Sequence, residues 1–238
     1  MTMRLLISVT TNSEVAAAVQ GGADIVDVKN PSEGALGASP PWVIRSVREA
    51  TPDHLPVSAA LGDVPNLPGT ISLAALGAAD CGVQYVKIGL MGPRRGTDAL
   101  RLLKAVCRTV NEFAPQTLVI ASAYADAHRV NAFPPRDLPA VAAEAGVHGC
   151  LLDTAIKSGD NLFAHLDDAQ LAAFVDQCHQ FDLISALAGS LIATDIPRVQ
   201  AIGADIIGFR TAACRGDRVH GRIDAGRVHQ LKQLLAAG

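Results

Sequence analysis

A strand-like run followed by a helix-like run recurs eight times along this chain, and that alternation restricts the fold more than any single motif. The apolar, β-rich runs cover Arg4–Val9, 24–29, 56–61, 84–90, 117–123, 149–155, 183–188 and 205–211. The helix-like segments cover 13–20, 41–50, 69–80, 97–113, 137–145, 168–180, 196–202 and 225–236. Strands that alternate with helices pair in parallel, because a parallel neighbour is reached only by a long return path. Four strands follow a helix end that carries a glycine, at Gly22, Gly82, Gly146 and Gly203, where positive φ lets the helix stop cheaply. Eight such units in 238 residues predict an α/β fold with one domain spanning 1–238, a TIM (β/α)8 barrel. The alternative is an open doubly wound sheet. The turn after its first strand would carry a Gly-x-Gly-x-x-Gly phosphate loop, whereas this chain reads Thr10-Thr11-Asn12-Ser13-Glu14, which suggests Ser13 capping a helix.

In a barrel, functional groups belong at the C-terminal ends of the strands. The chain has five lysines among its 20 basic residues, and three of them fall there: Lys29, Lys87 and Lys157. A lysine flanked by other cations in a partly dry pocket loses its proton readily and can attack a carbonyl to form a Schiff base, which a guanidinium cannot do. Asp27 and Lys29 are two residues apart on a strand and share a face, so the carboxylate is placed to hold the amine or exchange protons with it. Lys87 has no acidic neighbour in sequence and either extends past the strand end into water or has a lowered pKa or a partner from another strand. Asp153 and Lys157 straddle the end of the sixth strand. Spacing alone does not choose between Lys29 and Lys157 as the nucleophile.

The loops after strands seven and eight begin Gly189-Ser190 and Arg210-Thr211, stretches with small residues that let backbone N–H groups approach a substrate phosphate. Arg94 and Arg95 form an exposed basic loop or a second clamp. The glycine-rich stretch 30–39 after Lys29 is either a lid or a plain connection. His128 and His148 lie near strand ends without metal-ligand spacing, so neither a metal nor a cofactor is expected. The five cysteines form no Cys-x-x-Cys pair and read as buried thiols of a reducing compartment. A formal charge of -3 argues against nucleic acid. No run of apolar residues is long enough for a membrane helix and no signal peptide is evident, so a cytoplasmic protein with a small-molecule substrate is expected. The alanine-rich helix faces single out no interface and leave a homo-oligomer open.

The strings Asp24-Ile-Val-Asp-Val-Lys-Asn-Pro-Ser-Glu-Gly-Ala-Leu-Gly-Ala38, Tyr85-Val-Lys-Ile-Gly89 and Leu152-Asp-Thr-Ala-Ile-Lys-Ser-Gly159 resemble the (5-formylfuran-3-yl)methyl phosphate synthase family, which supplies the furan precursor of methanofuran in methanogens and some methylotrophic bacteria. The resemblance runs from the first strand to the last. It implies a TIM-barrel lyase that condenses two molecules of glyceraldehyde 3-phosphate, releasing one phosphate and two waters. It further implies Lys29 as the Schiff-base lysine and Lys87 as the proton acceptor, with Asp27, Asp153 and Lys157 as the charged shell and no metal or organic cofactor. Two other readings compete: a class I aldolase acting on sugar phosphates through Lys157, and a catalytically silent barrel that senses a phosphorylated metabolite.

Overall fold

Eight parallel strands close into one barrel in sequential order, with β1 (Arg4–Val9) hydrogen-bonded to both β2 (Ile25–Val28) and β8 (Ile206–Phe209). The others are β3 (Val57–Asp63), β4 (Tyr85–Gly89), β5 (Leu118–Tyr124), β6 (Gly149–Asp153) and β7 (Ile184–Leu187). The structure is a computed structural model describing residues 2–157 and 159–237; Ser158, within the third sequence string, lies outside the described residues. The outer helices are α1 (Val15–Gln20), α2 (Pro41–Ala50), α3 (Pro68–Ala79), α4 (Gly96–Phe113), α6 (Leu138–Ala145), α7 (Asp168–Gln180), α8 (Ile196–Ile202) and α9 (Ala225–Ala236). The barrel and its single domain agree with the sequence reading, and four helices keep the expected bounds residue for residue. A short helix, α5 (Ala127–Val130), and a two-stranded hairpin, β9 (Cys214–Arg215) with β10 (Arg222–Ile223), have no counterpart in that reading.

The alternation of side chains along each strand divides the core in two. On β6, Cys150 and Leu152 join the large cluster packed against the helices, while Leu151 joins Ile25, Ala60, Ile120, Ala186 and Ile206 in the smaller cluster inside the barrel. The same parity turns Asp27, Lys29, Lys87 and Asp153 inward. α4 shows how a helix seats itself: Leu102, Leu103, Val106 and Val110 recur at three- and four-residue spacing and are wholly buried, while Arg101, Lys104 and Arg108 face outward.

Three local expectations change. β6 stops at Asp153 because the next amides have other acceptors: Thr154 N–H donates to Asp153 Oδ1 at 2.8 Å, and Ala155 and Ile156 N–H donate to Asp126 at 2.7 and 2.9 Å. β8 ends at Phe209, with Thr211–Ala213 winding into a 3-10 turn. Ser13 caps no helix; the carboxylate of Glu14 takes the Thr10 N–H at 2.8 Å and its hydroxyl at 3.1 Å. No described helix is long and apolar enough to cross a membrane.

Candidate active site

The C-terminal end of the barrel opens into a pocket lined by Asp27, Lys29, Lys87, Asp153 and Lys157, so five residues from three strands and their following loops meet at one place. Asp27 is the organising centre. It pairs in register with Ser8 on β1 and Ser58 on β3, and both hydroxyls donate to it, at 2.8 Å on Oδ2 and 2.5 Å on Oδ1. Lys87 Nζ from β4 reaches the same carboxylate at 2.6 Å. Burial alone would raise the pKa of Asp27, but Lys87 and Lys29 outweigh it and hold the group below the usual carboxylate range. Lys87 therefore finds its partner on another strand, one of the three outcomes its sequence allowed. The adjacent Asp27 and Lys29 do share a face, yet the carboxylate's ion-pair partner is Lys87.

Lys29 instead faces across the barrel to Asp153 Oδ2 at 3.8 Å. Asp153 is itself bonded more tightly to Lys157, whose ammonium donates to Oδ1 at 2.5 Å and to Thr154 Oγ1 at 3.0 Å. Burial would raise the Asp153 pKa, and the charges of Lys157 and Lys29 reverse that and keep it ionised. The site thus holds three amines and two carboxylates, and Lys29 is the amine without a close counter-charge. Its side chain is 9% exposed. Burial is the main cause that pushes its pKa from 10.5 down to about 8; Asp153 pulls it up, and Lys157 and Lys87 push it further down. Of the three, Lys29 has the geometry of an amine that can be neutral near physiological pH.

Gly189, Ser190, Arg210 and Thr211 all line this pocket. Gly189 has φ +108, and a Cβ there would lie 3.1 Å from Thr154 Cγ2, so the loop after β7 sits against the loop after β6 in a way only glycine permits. Ser190 follows with φ 55. Arg210 lines the pocket, and its side chain is taken up by the protein itself. Its guanidinium is 4% exposed and bonds Glu14 Oε2 at 2.6 Å, Glu14 Oε1 at 3.2 Å, Ser8 O at 3.0 Å and Gly221 O at 3.0 Å, leaving only the backbone at this position to meet an anion. Arg94 and Arg95 are exposed and do not line the pocket. The glycine-rich loop after β2 is tethered: Ala35 and Leu36 N–H donate to Asp63 at 2.8 and 3.3 Å, and both residues are buried. Tyr124 donates its hydroxyl to the same carboxylate. His148 lies at the opposite end of the barrel, its Nδ1 accepting from Val119 N–H at 3.1 Å. All five cysteines are free and buried. Among the described residues no group of three or more His, Cys, Asp or Glu side chains is arranged to hold a metal ion.

Several residues of this neighbourhood escaped sequence reading. Ser8 and Ser58 are inward polar positions in otherwise apolar strands, a faint signal that parity supplies once the barrel is assumed. Asp126 fixes the loop that carries Lys157, and Glu14 and Asp63 bind groups far away in sequence. Arg218, in the turn of the β9–β10 hairpin, also lines the pocket and resembles any other loop arginine in the sequence.

Fold and site together define a TIM barrel that gathers lysines and aspartates from its strand ends in one pocket. Among solved structures, a crystal structure of KGPDC from Streptococcus mutans superposes with a TM-score of 0.69 over 99% of this chain and 98% of its own, at 13% identity, a likeness of fold alone. The family model described as 4-HFC-P synthase matches residues 5–232. The (5-formylfuran-3-yl)methyl phosphate synthase of Methanopyrus kandleri is 48% identical over 99% of this chain and 100% of its own length, and that of Methanocaldococcus jannaschii is 50% identical over 98% and 99%. The chain belongs to the 4-HFC-P synthase family.

Proposed function

We propose that this protein condenses two molecules of glyceraldehyde 3-phosphate into (5-formylfuran-3-yl)methyl phosphate through a Schiff base on Lys29, as a lyase of methanofuran biosynthesis. The observation that carries the mechanism is the inequality among the three amines. Lys87 and Lys157 are each bonded to a carboxylate at 2.6 and 2.5 Å, while Lys29 stands 3.8 Å from its nearest and has a pKa pushed down to about 8. A neutral Lys29 adds to the aldehyde of one triose, and loss of water gives the imine. Once protonated, the imine acts as an electron sink: a C–H proton leaves the neighbouring carbon to a nearby base, the enamine expels phosphate from the next carbon, and that end carbon, now the nucleophilic end of an enol, attacks the carbonyl of the second triose after it has isomerised to its ketone. A hydroxyl of the second triose closes the ring, two waters are eliminated to form the furan, and hydrolysis of the imine frees Lys29. Atoms balance as two trioses to one furan monophosphate, one phosphate and two waters, with no oxidant or reductant required. Asp27–Lys87 and Asp153–Lys157 flank the amine as two carboxylate–ammonium pairs, each able to accept and return a proton during elimination and dehydration.

The geometry favours this over an aldolase acting through Lys157, whose amine already donates to both Asp153 and Thr154. The test is incubation with glyceraldehyde 3-phosphate alone, with mass spectrometry of products and an assay for free phosphate. A furan aldehyde monophosphate with equal phosphate release is expected, together with a borohydride-trapped adduct on Lys29 that Lys29→Arg abolishes. A hexose bisphosphate without phosphate release would establish the aldolase instead. Binding without any trapped adduct would leave a metabolite sensor.

A further inference from the structure

Condensing two triose phosphates requires the mouth to hold two phosphate esters at once. The turn after β7 and the backbone after β8 offer amides for one. Arg210, the cation that opens the loop after β8, is committed to Glu14. We infer that Arg218 is the ligand for the second phosphate, which makes the β9–β10 hairpin a substrate-binding element.

Four observations converge on this residue. Arg218 lines the same pocket as the five charged groups, although it comes from an excursion between β8 and α9. Its side chain is half-buried and, among the described residues, makes no ion pair; its one side-chain hydrogen bond is from Nη2 to the Gly34 carbonyl at 3.1 Å, which leaves most of the guanidinium fork unused. A partly buried guanidinium without a counter-anion is suited to an incoming dianion, which it can grip with two parallel hydrogen bonds. Its backbone is fixed: the Arg218 carbonyl accepts from Arg210 Nε at 3.1 Å, Arg210 also holds Gly221 O at 3.0 Å, and Asp217 caps the turn by accepting from Val219 and His220 N–H at 2.7 and 2.8 Å. The Glu14–Arg210 pair thus serves phosphate binding indirectly, by holding the segment that presents Arg218. Finally, the bond to Gly34 sets the guanidinium against the loop that follows β2, on the side of the mouth where Lys29 ends its strand. Gly189 and Ser190 follow β7, with β8 and β1 intervening around the barrel. One anion subsite beside Lys29 and one farther round the mouth would bring two trioses to one amine.

This inference rests on the condensation reading, and its test separates the two. Calorimetric titration with inorganic phosphate, on the whole protein and its Arg218→Gln and Arg218→Lys variants, should give two binding events for the unaltered protein, one for Arg218→Gln, and a weakened second event for Arg218→Lys. In steady state, Arg218→Gln should raise the glyceraldehyde 3-phosphate concentration for half-maximal furan formation about 10- to 100-fold, the range for losing hydrogen bonds to a charged group. One phosphate event in the unaltered protein, two in Arg218→Gln, or an unmoved half-saturation each overturns the assignment. If Arg218→Gln does not fold, the Lys variant decides: a second event as tight as the original overturns it. Should the unaltered protein form neither adduct nor furan, the condensation reading fails, while loss of one phosphate event in Arg218→Gln would still establish the anion site.

Discussion

Replacing Lys29 with methionine should make the protein more stable at neutral pH, although it removes the residue on which the proposed chemistry depends. The charge arrangement gives the reason. Without Lys29 the site retains Asp27 with Lys87 at 2.6 Å and Asp153 with Lys157 at 2.5 Å, two complete pairs. In the folded protein burial lowers the Lys29 pKa from 10.5 to about 8. Between those two values the unfolded chain holds the proton and the folded chain has lost it, so stability rises with pH through that window, and below pH 8 the buried ammonium imposes its full cost. At about 1.4 kcal/mol per pH unit the cost is about 3 kcal/mol. Urea unfolding of both proteins at pH 7 should place Lys29→Met above the parent by up to about 3 kcal/mol, with the difference shrinking as pH rises from 8 towards 10.5. A methionine variant less stable than the parent at pH 7, or a difference independent of pH, would refute the assignment of Lys29 as the unpaired amine. Lys87→Met serves as the control with opposite sign. It leaves the buried Asp27 with only two hydroxyl donors and should cost about 3–5 kcal/mol, as breaking a buried pair does.

The remaining perturbations address the same site. Acylation of Lys29 by a small amine reagent, followed by peptide mass spectrometry, should rise about tenfold per pH unit up to about pH 8 and then level off; in Asp153→Asn the inflection should move to lower pH, because the carboxylate 3.8 Å away that favours the ammonium is gone. Glu14→Gln leaves the Arg210 guanidinium buried without a counter-charge, so limited proteolysis should cut the turn at 216–221 faster than in the parent; an unchanged cleavage rate would mean the hairpin is held by other contacts. Asp63→Ala removes the acceptor for Ala35 and Leu36 N–H and for the Tyr124 hydroxyl, and hydrogen exchange at those two amides should accelerate by at least about tenfold.

How much was legible in the sequence differs between strands and loops for a physical reason. Strand and helix positions follow from local periodicity, so α2, α7, α8 and α9 could be bounded to the residue and the shared face of Asp27 and Lys29 could be read directly, though not which way that face points. Pairing is another matter. That Asp27 binds Lys87 in preference to Lys29 depends on the stagger between β2 and β4, which no local pattern encodes, and the Glu14–Arg210 bond joins residues on opposite ends of the chain. Loop residues are harder still: Arg94, Arg95, Arg210, Arg215 and Arg218 are five similar loop arginines in the sequence, and only their positions distinguish a solvated one, a buried strap and a pocket-lining cation. The loop after β2 looked pliant for its glycines, yet its amides are bound by a carboxylate on β3 that sequence proximity gave no reason to connect.

The seam between β8 and β1 also has a bearing on synthesis. Arg210 reaches Ser8 and Glu14 across 202 and 196 residues of chain, and Ile223 N–H reaches Glu14 across 209. As the polypeptide leaves the ribosome, Lys29 and Asp27 emerge long before Asp153, and β1 keeps an unsatisfied edge until almost the whole chain has been made. The nascent protein therefore carries a half-built cluster of charges with no enclosing wall, and closure of the ring and completion of the pocket coincide in one late event. A translation product stopped before residue 205 would lack β8 and with it the strand that covers that edge.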